Sequence, residues 1–155
     1  MQTVDYDTLV YKDLRQYLVA MLNCTVIRGR QNYSPLPEGC IIMQNLYDES
    51  PQQGYTQDGK ITEVLTRCIQ LDFIGASAGA WCRQVATMWK TPYTVDALQS
   101  TSPLYCNNPI SQQFVNEKDI YEDRYILDVF LQFETNYEYN VDKTDNVTVS
   151  IKSWR

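Results

Sequence analysis

The chain contains no histidine in its 155 residues. Histidine is the side chain whose ordinary pKa lies nearest neutrality, so the commonest general base and proton shuttle is missing. The five cysteines, Cys24, Cys40, Cys68, Cys82 and Cys106, are odd in number, lie 14 to 28 residues apart and include no C-x-x-C pair. They read as reduced thiols in a core rather than a disulfide frame, and a zinc site would need distant ones to converge. No run of 18 apolar residues is present to form a membrane-spanning helix. The opening MQTVDYDTLVYK lacks the basic start and apolar core of a signal peptide, so the chain is expected to stay in the compartment where it is made. Also missing are a G-x-S-x-G elbow, a Walker-type phosphate loop and a G-x-G-x-x-G turn.

What is present fits one domain with a single two-layer core. Apolar residues make up 44% and charged residues 21%, which is ordinary globular composition. The net charge of −6 is uneven: residues 116–145 hold nine acidic and three basic side chains, and the rest of the chain balances. No basic patch offers to neutralise a phosphate backbone, so nucleic-acid binding is disfavoured. The acidity suits a basic partner or plain solubility.

Periodicity orders the elements. Leu9, Val10, Leu14, Tyr17, Leu18, Met21 and Leu22 recur at helical spacing from Tyr6 to Leu22, with Asp5 or Asp7 as cap. A short strand from Cys24 to Arg28 ends at Gly29, and Pro35 and Pro37 mark a loop. CIIMQNLYD from Cys40 resumes as a strand, and SPQQGYTQDGK, with its Asp58-Gly59 turn signal, leads into an antiparallel partner and offers a projecting arm at 50–60. Lys60 to Ile74 is a long strand, interrupted on its apolar face by Glu63 and Arg67. A second helix runs from Ala76 to Lys90, with Ser77 at its start and Pro92 stopping it, and TVDAL reads as a short strand. Tyr125 to Phe133 is a strand with apolar residues on both faces, DKTDN a turn, and Val147, Val149 and Ile151 a last strand. The expected fold is α+β: a mostly antiparallel, mixed β-sheet with two helices packed on one face.

Two stretches invite a chemical reading. GASAG, Gly75 to Gly79, lies between strand and helix, where it serves either an anion or tight strand–helix packing; it lacks the Lys and Thr of a nucleotide site. Glu117, Asp119, Glu122 and Asp123 are dense enough to attract a divalent cation but do not match the calcium-loop pattern, which also needs a glycine. A capping box from Asn116 and a pairing of Glu122 or Asp123 with Arg124 are local alternatives. No catalytic constellation emerges, and no cofactor or metal is expected. Surface remains: tyrosine occurs twelve times, and Tyr33, Tyr47, Tyr55, Tyr93, Tyr105, Tyr121, Tyr137 and Tyr139 fall in or beside loops and strand ends, where rings suit protein contacts.

RGRQNYSPLPEG at 28–39, CIQLDFIGASAG at 68–79 and above all PLYCNNPISQQFVNEKDIYEDRYILDVFLQF at 103–133 resemble the neck or tail terminator proteins of tailed bacteriophages. The resemblance implies a non-enzymatic virion protein of the neck at the head–tail junction, assembled in the host cytoplasm. It implies a homo-oligomeric ring, a hexamer, that caps the tail tube protein and meets the head connector or adaptor protein, with DNA passing the lumen without sequence-specific binding. On that reading Tyr105, Phe114 and Tyr121 anchor an interface whose direction is set by Asn116, Glu117, Glu122, Asp123 and Arg124. Tyr33 and Pro35 in the Pro-bounded loop and Tyr55 in the 50–60 arm are further contacts. A head-completion or connector adaptor protein is the alternative within the virion. A small metal-binding enzyme using Glu117 to Asp123, and a regulatory small-molecule module, are the alternatives outside it.

Overall fold

A computed structural model describes residues 3–29, 38–51, 54–115 and 121–141, the side chains of Phe114, Tyr121 and Glu122 excepted. Tyr6–Leu22 forms α1, capped by Asp5, whose carboxylate accepts from the Thr8 amide at 3.0 Å and the Thr8 hydroxyl at 2.6 Å. The Thr8 hydroxyl bond, with the amide bond behind it, holds the Asp5 carboxyl below its ordinary value. Asn23 ends the helix in the left-handed region. Next come β1 (Thr25–Arg28), β2 (Cys40–Glu49), β3 (Tyr55–Gln57) and β4 (Lys60–Ile74), then α2 (Ala78–Met88) and α3 (Pro92–Ala97). The described chain continues with β5 (Ser102–Cys106), β6 (Ile110–Ser111), β7 (Phe114–Val115), β8 (Tyr121–Glu122) and β9 (Arg124–Glu138).

Seven of these strands make one mixed sheet in the order β1-β2-β4-β9-β5, with β3 beside β4 and β6 beside β9. Only β1 and β2 run parallel among the described pairs. The spine is the antiparallel β4–β9 pair, in unbroken register from Lys60↔Glu138 to Ile74↔Arg124. Fifteen residues at the usual rise make a ribbon about 50 Å long. Its helix-side half is apolar: Ile69, Leu71 and Phe73 of β4 and Leu127, Val129, Leu131 and Phe133 of β9 are buried against Val10, Leu14 and Leu18 of α1 and Cys82 and Val85 of α2. Each fully buried aliphatic side chain contributes about 2 kcal/mol of transfer free energy. The expected α+β sheet with helices on one face is what forms.

A third, short helix is added where TVDAL was expected to be a strand. Pro92 does not simply stop α2; it occupies the first turn of α3, where its fixed φ and missing N–H cost nothing. Five residues hold too little periodicity to separate the two structures. Thr94 then secures α3, bonding the Met88 carbonyl at 2.6 Å and the Tyr17 hydroxyl at 2.8 Å. The stretch from Ser102 to Glu122, to which the periodicity assigns no element, carries β5 to β8 as short strands. The Pro35 and Pro37 loop, the DKTDN turn and the Val147 to Ile151 strand lie outside the described residues.

Two polar devices fix the helix layer. Asp13, 5% exposed, accepts from the Gln99 and Ser100 amides and the Thr101 hydroxyl, each at 2.9 Å, so α1 holds the chain where it leaves α3 for β5. Arg67, which interrupts the apolar face of β4, is buried over the Phe133 ring and donates to Asp48 twice, at 2.6 and 2.9 Å, and to Asp7 at 2.7 Å. Asp48 reaches this face because a bulge between Asn45 and Tyr47 reverses the alternation of β2.

Removing the Asp13 carboxylate leaves the buried Thr101 hydroxyl and the part-buried Gln99 and Ser100 amides without that acceptor, so Asp13→Ala should lower stability by about 2–4 kcal/mol. Urea unfolding at unchanged m-value checks this; a loss near zero means water replaces the carboxylate. At the ribbon end, Gly59 has φ +77 and an added Cβ would lie 2.4 Å from the Tyr139 carbonyl oxygen. Gly59→Ala should therefore open this end locally. Faster hydrogen exchange of the Tyr139 amide, which donates to the Gly59 carbonyl at 2.8 Å, should appear with little change in the core amides.

Candidate interaction surface

The period of two along β4 and β9 that sends odd-numbered residues into the helix layer sends even-numbered ones to the opposite face. No described helix covers that face. A small apolar cluster of Ile27, Cys40 and Ile74, with Ile42 against it, closes one end. Toward the middle, register places Cys68 opposite Phe130 and Gln70 opposite Asp128. Tyr105 of β5 stacks on Phe130 with centroids 4.3 Å apart, yet is 56% exposed. Tyr47, turned to this face by the bulge, pairs in register with Cys68 and is also exposed. Asp128 Oδ1 is buried and has no hydrogen-bond partner. The surface thus offers half-covered aromatic rings around a carboxylate oxygen short of a donor, the composition of a contact core rather than of a solvated rim.

Of the residues singled out in the sequence, Tyr105 lies on this face. Arg124 does too, its guanidinium donating to Asp72 at 2.8 and 2.6 Å. Asp123 is exposed, and its carbonyl accepts from the Gly75 amide at 3.1 Å. Phe114 pairs with Glu122, and Val115 with Tyr121, in a separate two-stranded ribbon. Tyr55 stands 65% exposed on β3, in register with Thr62 and through it with Asn136. Along β9 that is six positions from the Phe130 beneath Tyr105, or about 20 Å, so the two rings belong to different parts of the surface. Tyr33, Pro35, Asn116 and Glu117 lie outside the described residues. Tyr47, named in the sequence among the tyrosines suited to contacts, is exposed here, whereas sequence reasoning missed Asp128 and Phe130 on this face. Ile126 and Phe130, apolar on the second face of β9, were the available signal.

The chemical readings fare differently. In GASAG the glycines serve close packing: a Cβ on Gly75, at φ +117, would lie 2.8 Å from Gly39 Cα, and one on Gly79 would lie 3.0 Å from the Tyr125 ring. Ser77 sits at the N-cap position without a side-chain cap bond. Among the described residues no three Cys, Asp or Glu side chains gather to hold a metal, while the Glu117 to Asp123 carboxylates fall mostly outside them. One hollow is lined by Tyr55, Gln57, Asp58, Lys60 and Thr62, another by Asp7, Tyr11, Arg28 and β2 residues. Neither combines a nucleophile, an activating base and an oxyanion donor.

None of the five cysteines is joined in a disulfide. Burial pushes the Cys24 and Cys68 thiols up to about 11 and that of Cys82 to about 12, from an ordinary 9.0, and raises Cys106 as well. These four thiols carry little thiolate at neutral pH, the opposite of an activated nucleophile. Their protons also link stability to alkaline pH. Below pH 9 folded and unfolded chains both hold them; above it the unfolded chain loses them first, so stability falls as pH rises toward 11 and 12. The wholly buried Cys82 alone should contribute a slope of about 1.4 kcal/mol per pH unit in that window. Urea midpoints measured from about pH 8 to about pH 10.5 should fall, and Cys82→Ala should flatten the decline. An unchanged slope in that variant would show that Cys82 ionises freely.

The sheet, both long helices and the open face fall within the reach of one family model, described as phage neck terminator protein, which matches residues 8–154. No curated protein matches the chain. The match includes α1 and the end of the chain, which had added little to the resemblance seen in the sequence. Since it spans nearly the whole length, the chain belongs to the phage neck terminator protein family.

Proposed function

We propose that this chain is a non-enzymatic subunit of a ring, a hexamer, that closes the finished tail tube and joins it to the head connector. The observation that carries the reading is the family match over residues 8–154, which takes in the whole described sheet from β1 to β9 and the three helices packed with it. The surface supports it. Tyr47, Tyr55, Tyr93, Tyr105, Tyr137 and Tyr139 are exposed, and tyrosine gives large contact area at small entropy cost. A cyclic ring needs two different patches on each subunit, one for each neighbour, and this domain has two unlike faces. The singled-out stretch from Ser102 to Tyr125 supplies contacts to neighbours through Tyr105, Phe114 and Tyr121, with Tyr33, Pro35 and Tyr55 as further contacts. Part of the net charge of −6 faces the lumen, where a negative wall disfavours adhesion of passing DNA. A ring structure with its acidic side chains confined to the outer rim removes that last point.

The mass of the purified chain over a range of concentrations tests the main reading. A closed species near six times 18.0 kDa, or its appearance on purified tail tubes, is the expected result. Binding to the portal side and not to tubes assigns the chain instead to the head-completion adaptors.

A further inference from the structure

The two faces of the domain carry opposite unmatched charge. On the helix layer the exposed cations Lys12, Arg15, Arg83 and Lys90 outnumber the exposed unpaired carboxylates of Asp5 and Asp96, and none of the four enters an ion pair among the described residues. Lys12 and Arg15 point away from the α1 stripe of Val10, Leu14, Tyr17 and Leu18, and α2 contains no carboxylate. On the open sheet face the cations Lys60 and Arg124 are matched by Glu138 and Asp72. Glu49, Asp128 and Glu134 share that face by register and have no cation among the described residues.

Asp128 concentrates the imbalance. Its buried Oδ1 lacks a donor, and its neighbour along the same face of β9 is Phe130, under Tyr105. A carboxylate oxygen removed from water without a partner is costly, and a cation brought to it inside an aromatic surround forms a strong, charge-assisted bond. We propose that the open face of one copy receives the basic helix layer of the next, with Lys12 and Arg15 of α1 facing Asp128. The contact is heterologous: the donor and acceptor patches lie on opposite faces of one domain, so each added copy leaves the same pair of faces free until the ring closes. Complementary charge sets its direction and excludes face-to-face pairing of like surfaces. This proposal rests on the ring reading above and assigns the surfaces that such a ring uses.

Charge exchange between two variants tests it by native mass spectrometry, on tail tubes if the wild-type ring forms only there. Asp128→Lys sets a cation against Lys12 and Arg15 of the next copy, and Lys12→Glu with Arg15→Glu sets two carboxylates against Asp128. Each alone should need at least about tenfold more protein to assemble. Mixed in equal amounts they should regain the wild-type threshold, forming rings in which the two variants alternate, identified by a mass tag on one of them. Thermal melts confirm folding, and Gln70→Lys, directly across the register from Asp128 on the same face, replaces Asp128→Lys if the latter does not fold. If each variant alone assembles like wild type, the proposal is overturned and the ring reading stands. If both fail but the mixture does not recover, charge complementarity between these faces is likewise overturned. If the wild-type chain forms no ring either alone or on tubes, the ring reading falls first and this contact with it.

Discussion

Everything else in the domain is referred to the register of β4 against β9. Fifteen consecutive pairs without a slip mean that one decision, which of two parities faces the helices, is made once and holds along the ribbon. Leu71 beside Leu127 and Ile69 beside Val129 commit the odd-numbered residues to the core. The partners on either side then have little freedom. β2 lies on one edge with Ile41 and Met43 toward the helices, and β5 lies on the other with Cys106 toward them, its thiol near the Ala86 carbonyl. A slip of β9 by a single residue would carry Asp128 and Arg124 inward and Leu127 and Tyr125 outward. Burial on one face is what forbids it.

The elements whose sequence repeats for three turns or more were legible: α1 begins and ends at Tyr6 and Leu22 as its spacing predicts, and β4 runs from Lys60 to Ile74. The Asp58-Gly59 turn was legible for a local reason, since both residues adopt positive φ, which that dipeptide tolerates. What could not be read depended on partners distant in sequence. Arg67 interrupts an apolar face in one dimension; its place in the core follows from Asp7, 60 positions earlier, and from Asp48, delivered by a bulge in another strand. α3 was hidden for the opposite reason, being too short to show a period. The candidate surface was read in fragments. Tyr105 and Arg124 were found through their stretch, while Asp128 and Tyr47 become neighbours only across paired strands.

A division of labour follows between the two sides of the sheet. The helix side spends its polar groups on holding itself together: Asp13 secures the chain after α3, Thr94 joins three helices, and Arg67 ties α1 to β2. The other side places rings and carboxylates in view with fewer internal obligations. Such a division suits a protein that works through contacts, since binding energy concentrates in a few well-surrounded residues while the fold is secured elsewhere.

The bulge between Asn45 and Tyr47 also governs how the gene can change length. A strand that alternates without interruption tolerates no single-codon insertion or deletion in its paired region, because every residue beyond the change turns to the wrong face. β2 already contains one extra residue at Leu46. Losing that codon would make Asn45 and Tyr47 consecutive and straighten the strand while leaving its pairs intact, so Tyr47 would stay opposite Cys68 on the open face and Asp48 opposite Arg67 on the helix side. Leu46 is therefore the one position of β2 at which a codon can be lost without turning Tyr47 or Asp48 to the wrong face, whereas a loss on either side of it would part Asp48 from Arg67.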